Sequence, residues 1–398
     1  MRSSEKAQRC GLSPMRKFHP YAVEAANRGI EILHLNIGQP DIETPAPFFE
    51  ALRRFADPVV EYAPSPGIVS LNSALRGYYE KIGVILKEED VLITTGGSEA
   101  LLIAMLCILD DGDEIIVPEP FYPNYNTFVR AAGGRIRPVT TSAEEGYRYA
   151  DRTRIEPLIN ENTRAILINS PGNPTGTVLT PEEMRLVADI AKEYDLWLIA
   201  DEVYREFAYE TGVAGSFAAF MDMAEHVITI DSVSKRFSAC GARIGALITK
   251  NEEMRQHALK FCQARLSVAT IDQLASAALY TVDPSYFDDM RGEYKRRRDT
   301  IFREIQKIPS VVCHEPKGAF YMMAKLPVDS ADAFQKFLLT DFSDNGQTVM
   351  FAPGEGFYAT TGCGVDEIRI AYVLDCERLV RAAELLRIGL AVYNARKV

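Results

Sequence analysis

Val91-Leu92-Ile93-Thr94-Thr95-Gly96-Gly97-Ser98-Glu99-Ala100 is the stretch from which the fold of this chain is read. Its first four residues are apolar or β-branched without alternation, the pattern of a strand buried on both faces. The glycine pair permits a tight reversal, and 99–109 continues as an apolar helix. The same rhythm repeats further along the chain. Short apolar runs at 114–117, 165–169, 196–200, 227–230 and 242–249 predict strands, and 125–132 and 181–194 predict helices between them. Thr180 before Pro181, with Glu183 three residues on, forms a capping box at the start of the second of these helices. Unalternating strands separated by helices predict an α/β fold, a large unit with a mostly parallel central sheet covered by helices.

The rhythm changes after Asp283-Pro284. A long charged helical stretch runs to Lys307, followed by an alternating strand at 319–325, a helix at 331–340, short strands and a final amphipathic helix from 376 to about 395. This order predicts a smaller α+β unit. The 398 residues suit roughly two to three domains at about 150 residues each. The expected division is 48–290 for the large unit, with 1–47 and 291–398 forming the smaller one.

The chain is 47% hydrophobic and 25% charged, which excludes disordered, collagen-like and disulfide-framework classes. Its longest unbroken apolar run, 100–109, is about half of a membrane span. The first residues have no apolar core of the kind a secretory leader needs. Against 55 Asp and Glu stand 44 Lys and Arg, a net charge of −11, and the short Lys295-Arg296-Arg297-Arg298 is the only dense basic block. That balance argues against nucleic acid as a partner. The seven cysteines are scattered without a C-x-x-C pair, and the five histidines form no metal spacing. A cytoplasmic, metal-free protein with free thiols is expected.

Three segments at strand ends can carry chemistry, because ligands of open α/β sheets bind beyond the carboxyl ends of the strands. The first is the quoted stretch itself: a helix N-terminus after two glycines offers free N–H groups and partial positive charge to a phosphate. The same residues could be a plain turn with Ser98 as N-cap, or, from the likeness of Gly-Gly-Ser-Glu-Ala to G-x-S-x-G, a nucleophile elbow. The second is Asp201-Glu202-Val203-Tyr204, where a carboxylate beside a phenol can hold a cationic ligand or simply cap a helix. The third is Asp231-Ser232-Val233-Ser234-Lys235 with Arg243 eight residues past the lysine. An arginine nearby disfavours the ammonium form of Lys235 and so activates the amine, unless the lysine merely faces solvent. Ser232-x-x-Lys235 with Ser343-Asp344-Asn345 also echoes the penicillin-binding enzymes, but no K-T-G exists in the chain.

In their order along the chain, Gly96-Gly97-Ser98-Glu99-Ala100, Asn169-Ser170-Pro171-Gly172-Asn173-Pro174-Thr175-Gly176, Asp201-Glu202-Val203-Tyr204, Ser232-Val233-Ser234-Lys235 and Arg243-Ile244-Gly245 resemble the class I/II aminotransferases of the fold-type I pyridoxal-phosphate enzymes. The likeness extends from Leu35-Asn36-Ile37-Gly38-Gln39-Pro40-Asp41 to Arg369-Ile370-Ala371, and the branch looks like the bacterial-type aspartate aminotransferases. By this resemblance Lys235 carries pyridoxal 5′-phosphate as a Schiff base and shuttles the substrate's Cα proton. Asp201 pairs with the pyridine nitrogen, Asn173 and Tyr204 bond the phenolic oxygen, and Tyr122 stacks on the ring. The phosphate lies on the N–H groups of Gly97, Ser98 and Glu99, the hydroxyls of Ser232 and Ser234, and Arg243, with the Glu99 side chain turned away. Tyr62 reaches the phosphate of a neighbouring subunit, which implies a homodimer with shared active sites. Gly38, Asn173 and Arg369 bind substrate, Arg369 by forking onto the α-carboxylate.

The activity so implied is ping-pong transfer of an amino group between an L-amino acid and a 2-oxo acid, with aspartate and 2-oxoglutarate favoured. Arg265, Arg16 and Lys17 are the candidate cations for a distal carboxylate. Another amino-acid specificity or a β-lyase would use the same Lys235. A serine hydrolase built on Ser98 would need His226, His257 or His314, and the chain has no H-G-G-G oxyanion segment.

Overall fold

The computed structural model describes residues 2–396. Its strands, in chain order, are β1 (Glu31–His34), β2 (Val91–Thr94), β3 (Glu114–Glu119), β4 (Arg135–Thr140), β5 (Thr163–Asn169), β6 (Trp197–Asp201), β7 (Val227–Ser232), β8 (Gly245–Ile248), β9 (Val312–Cys313), β10 (Tyr321–Lys325), β11 (Gln347–Met350), β12 (Ala352–Pro353) and β13 (Glu367–Ala371). A seven-stranded sheet runs β2-β8-β7-β6-β5-β3-β4. It is parallel throughout except at β8, which is antiparallel to both β2 and β7. The α/β fold class and the mostly parallel sheet are those expected from the strand pattern.

Alternate residues of each central strand supply two cores. Ile199 of β6 joins Leu167, Ile228 and Leu247 beneath helix Gly96–Ile108. Its neighbours Leu198 and Ala200 face the other way, onto Val187 and Ile190 of helix Pro181–Glu193. Because both faces are covered, the strands carry apolar residues continuously, and periodicity alone cannot separate the faces. The capping box of helix Pro181–Glu193 is formed: Thr180 Oγ1 accepts from Glu183 N, and Glu183 Oε2 accepts from Thr180 N.

Several predicted boundaries are corrected. Strands 114–117 and 227–230 continue to Glu119 and Ser232, since their polar tips still pair in the ladder (Glu119 with Thr140, Ser232 with Gly245). The strand predicted at 242–249 begins only at Gly245, because Cys240–Ala242 form a 3-10 turn and Arg243 takes a left-handed conformation, φ 53°. The first helix starts at Gly96, so Ser98 lies within its first turn and is not its N-cap. Asp201 ends β6 and caps no helix. Strand β4 was not predicted; it is a half-exposed edge strand with charged residues and Pro138, and it lacks the apolar run.

Beyond the large sheet, β12-β13-β10-β9 form a four-stranded antiparallel sheet. Helices Ser285–Ile305, Ala331–Thr340 and Cys376–Ala395 pack around it, with Ile301, Phe334, Ile368 and Leu386 in one core. The N-terminal β1 pairs in parallel with β11, and Leu35 continues the link by accepting from Ala371 N at 2.8 Å. The carboxyl ends of β5, β6 and β7 therefore open toward β13, and a crevice lies between the two sheets.

Candidate active site

The crevice holds a cavity of about 560 Å³. Gly38, Gly97, Ser98, Tyr122, Asn173, Asp201, Tyr204, Ser232, Ser234, Lys235, Arg243 and Arg369 of the predicted site all line it. Glu99 and Tyr62 do not. His226, His257 and His314 are also absent from its wall, so Ser98 meets none of the histidines considered for a hydrolase.

The floor comes from the ends of β5, β6 and β7. Asp201 is buried, and its Oδ2 accepts from Tyr125 Oη while Oδ1 accepts from Val203 N at 3.4 Å. Burial raises its pKa to about 6 from an ordinary 3.8, and the bonds from Tyr125 and Val203 and the charge of Lys235 offset only part of that. One strand over, Asn169 Nδ2 donates to Asp201 O at 2.8 Å, and Asn169 Oδ1 accepts from Asn173 N at 2.7 Å. The Pro171–Gly176 turn is thereby tied to the strand end. Tyr122 lies on the wall, its hydroxyl accepting from Asn124 Nδ2 at 2.7 Å, and burial pushes it up to about 12.

Ser232 and Ser234 form a turn at the end of β7: Ser234 N donates to Ser232 Oγ at 3.1 Å, and Ser232 Oγ donates to Ile244 O at 3.0 Å. Lys235 follows, half-buried, its Nζ donating to Gly38 O at 2.9 Å and lying 3.5 Å from Cys240 Sγ. Two glycines let this turn close on the helix Gly96–Ile108. A Cβ on Gly96, at φ 71°, would collide with the Arg243 guanidinium, and one on Gly245 would collide with the Gly96–Gly97 backbone. Arg243, Ser232, Ser234 and the N–H groups of Gly97 and Ser98 thus surround one end of the cavity with donors. Glu99 is turned away from it: Oε2 accepts from Thr95 N at 2.6 Å, and both its oxygens lie 3.2 Å from Arg265 Nε.

Arg369, from the middle of β13, closes the opposite end. It is fully buried, with Nη1 donating to Asn173 Oδ1 at 3.1 Å and Nη2 to Asn36 O at 2.6 Å. Its Nε has no partner, no carboxylate pairs with it among the described residues, and burial lowers its pKa. Its guanidinium stands over the rings of Tyr321 and Phe357 at 4.6 and 5.0 Å. Tyr204 Oη and Tyr321 Oη are 3.0 Å apart. A Cβ on Gly38 would collide with the Tyr321 hydroxyl, so glycine is what admits this ring.

Sequence reasoning missed Tyr125, Tyr321, Asn36, Asn169 and Cys240. Tyr125 had a readable signal, since it sits three residues after Tyr122 on one face of a helical turn. Tyr321 had none, because its place follows from the pairing of β10 with β13.

Strand ends that present a buried carboxyl, an amine and a donor-lined pocket, closed by an unpaired guanidinium, define an α/β enzyme with a cavity built for an anionic ligand. Comparison with known proteins narrows this. The family model Aminotransferase class I and II matches residues 30–386. The aspartate/prephenate aminotransferase of Thermus thermophilus is 32% identical over 91% of this chain and 92% of its own. A single mutant of Thermus thermophilus aspartate aminotransferase superimposes with a TM-score of 0.89 at 31% identity, covering 98% of this chain and all of the other. An alanine aminotransferase from Pyrococcus furiosus gives 0.90 at 29% identity over 98% of this chain and all of its own. The chain belongs to the class I and II aminotransferases and is an enzyme of amino-group transfer. The serine-hydrolase alternative is set aside on this ground.

Proposed function

We propose that this enzyme binds pyridoxal 5′-phosphate through Lys235 and moves an amino group between an L-amino acid, aspartate being favoured, and a 2-oxo acid, 2-oxoglutarate being favoured. The family is generally dependent on that cofactor. The observation that carries the reading is one cavity lined by an amine (Lys235), a buried carboxyl (Asp201) that forms no ion pair and a buried guanidinium (Arg369) that meets no carboxylate, both among the described residues. Each of the last two is a costly arrangement until its missing charge arrives.

In this assignment Asp201 would hold the ring nitrogen, Asn173 and Tyr204 would bond the phenolic oxygen, and Tyr122 would support the ring. The phosphate is received by Gly97, Ser98, Glu99 through its backbone N–H, Ser232, Ser234 and Arg243, whose charge-assisted bonds resist exchange with water. When bound, the cofactor supplies an electron sink for negative charge at the substrate's Cα. Arg369 orients the α-carboxylate by a forked pair, with Gly38 and Asn173 alongside. The Lys235 amine removes the Cα proton and returns one at the other end of the exchange. Tyr204 lowers the cost of negative charge on the oxygen it bonds. Residues 48–290 carry these cofactor contacts, and 1–47 with 291–398 close over the amino acid and exclude water.

A homodimer with shared sites belongs to the same proposal: Tyr62 is 79% exposed beside exposed Val59 and Val60, a surface suited to a second copy. We also assign the enzyme to the cytoplasm; its described cysteines are unpaired, and none of its described helices is long and apolar enough to cross a membrane.

The test is purified protein with its near-visible absorbance recorded, borohydride trapping at Lys235, and a panel of amino donors against 2-oxoglutarate. Lys235→Ala should lower turnover by roughly 10⁴-fold or more while the fold survives. Transamination at the wild-type rate in that variant would falsify the assignment.

A further inference from the structure

Asp231 and Arg236 bracket the short stretch that carries Ser232, Ser234 and Lys235. Those three side chains line the cavity, and the two bracketing ones do not. Instead they meet behind the turn. Arg236 Nη2 donates to Asp231 Oδ1 at 2.8 Å and to Oδ2 at 2.9 Å, and each residue is only 1% exposed. Asp231 Oδ1 also accepts from Ser232 N at 2.6 Å, Oδ2 accepts from Tyr79 Oη at 2.9 Å, and Arg205 Nη2 lies 3.9 Å away. Arg236 donates through Nη1 to Tyr280 Oη at 3.3 Å, and its guanidinium stands over the Tyr78 ring at 3.9 Å.

Stability is a poor reason for such a pair. Two charges taken out of water lose hydration that their attraction scarcely restores, and uncharged residues of similar volume often hold a fold as well. The turn has the stronger need. Helix Val233–Arg236 is a single turn, too short to fix its own shape. Asp231, in contrast, is fixed in the sheet, where it pairs with Ala246 of β8. The ion pair therefore ties the free end of the turn back to a rigid strand, and everything between the two residues is enclosed by that tie.

We propose that Asp231 and Arg236 are positioning residues: their buried pair holds the hydroxyls of Ser232 and Ser234 and the amine of Lys235 where one ligand meets all three. This rests on the cofactor reading above and adds to it two residues that touch neither cofactor nor substrate. A turn released from β7 would shift its side chains, and a misplacement of about 1 Å is enough to cost roughly 100-fold in rate.

The full-length, cofactor-free chain tests this by fluorescence titration with pyridoxal phosphate and with pyridoxal, which lacks the phosphate, and by the rate of borohydride-trapped attachment at Lys235. A single neutral variant leaves one buried charge unpaired, so the decisive protein is the double variant Asp231→Asn/Arg236→Met. It removes both charges and leaves Arg205 with Glu202, its partner at 3.1 Å. Its preference for pyridoxal phosphate over pyridoxal should fall about 10-fold, as the two hydroxyls leave the phosphate. Attachment at Lys235 should slow by about 100-fold. A smaller folded fraction would lower both affinities alike and leave their ratio unchanged, so an unchanged ratio assigns the pair a structural role and overturns the proposal. Arg236→Lys keeps a cation against Asp231 but gives up the guanidinium's stacking on Tyr78, and should fall between. Wild-type ratio and rate in the double variant, or in Arg236→Lys where the double variant does not fold, would overturn the proposal and leave the cofactor reading standing. A wild type that binds no pyridoxal phosphate overturns both.

Discussion

Asp201 is a carboxyl whose folded pKa, about 6, lies above its ordinary 3.8 because burial penalises the charged form. The sign of its effect follows. Between these values the folded chain holds a proton that the unfolded chain has released, so this group destabilises the cofactor-free fold as pH rises through the window. Asp201→Asn removes that titration. Relative to wild type, the cofactor-free variant should gain about 3 kcal/mol on going from below pH 4 to above pH 6, with no further gain beyond. Urea midpoints of both proteins at the two ends of the window measure it, and parallel midpoints would refute the assignment of the raised value to this residue. Arg369 is the complementary case, a guanidinium with an unused donor. Arg369→Ala should raise KM for amino and oxo acids by roughly 30-fold, about 2 kcal/mol, through loss of charge-assisted bonds. Reduced thermal stability with unchanged KM would mean that its role is structural.

Among the elements, the junction of β8 with helix Gly96–Ile108 is the most constrained. Gly245 lies against the Gly96–Gly97 backbone, so Gly245→Ala must push strand and helix apart. Cofactor affinity should fall by at least about 10-fold, since misplaced N–H donors lose their bonds to phosphate; fluorescence titration with pyridoxal phosphate reads this directly. Thr180→Ala is the contrasting change. It removes the cap of helix Pro181–Glu193, which does not line the cavity, and should cost about 1 kcal/mol of stability without altering that titration. Elements of this kind were legible in the sequence to unequal degrees. β2, β5, β6 and the capped helix carry continuous apolar runs or explicit stop signals. Helices Val69–Glu80 and Thr270–Leu279 were not read, and β4 was missed because an edge strand needs no apolar run. Arg243 looked like part of a strand, since nothing local marks a non-glycine residue as left-handed.

At the scale of the whole molecule, the cavity is shared between two sheets that the chain visits at different times. β1, from the N-terminal segment, pairs with β11 more than 300 residues later in the sequence. Arg369 reaches the cavity from β13, and Arg16 reaches it from the N-terminal turn Pro14–Arg16. A second copy is expected to complete the assembly through the exposed Val59, Val60 and Tyr62. Light scattering should therefore give twice the 44.3 kDa chain mass. Tyr62→Ala should weaken cofactor binding by roughly 10-fold, through a lost phosphate hydrogen bond, in a protein that still dimerises. A monodisperse monomer with full cofactor affinity would remove Tyr62 from the site.

The motif residues were legible because their spacing follows from local geometry: a strand end, a glycine turn and a helix tip put Gly97, Ser98, Asp201, Ser232 and Lys235 on one side of a sheet whatever else the chain does. The sequence alone thus determined the fold class and the aminotransferase family resemblance, and it named the amine and the acid that are proposed for the chemistry. Only the tertiary structure decided that Glu99 is occupied by Arg265, that Tyr125 rather than a cation touches Asp201, that Tyr321 fills the space left by Gly38, and that Arg16 alone of three candidate cations is free beside the cavity. The contacts of Glu99, Asp201 and Gly38 join residues 76 to 283 positions apart. They depend on how sheets and helices pack, and packing leaves no periodic trace in a single sequence.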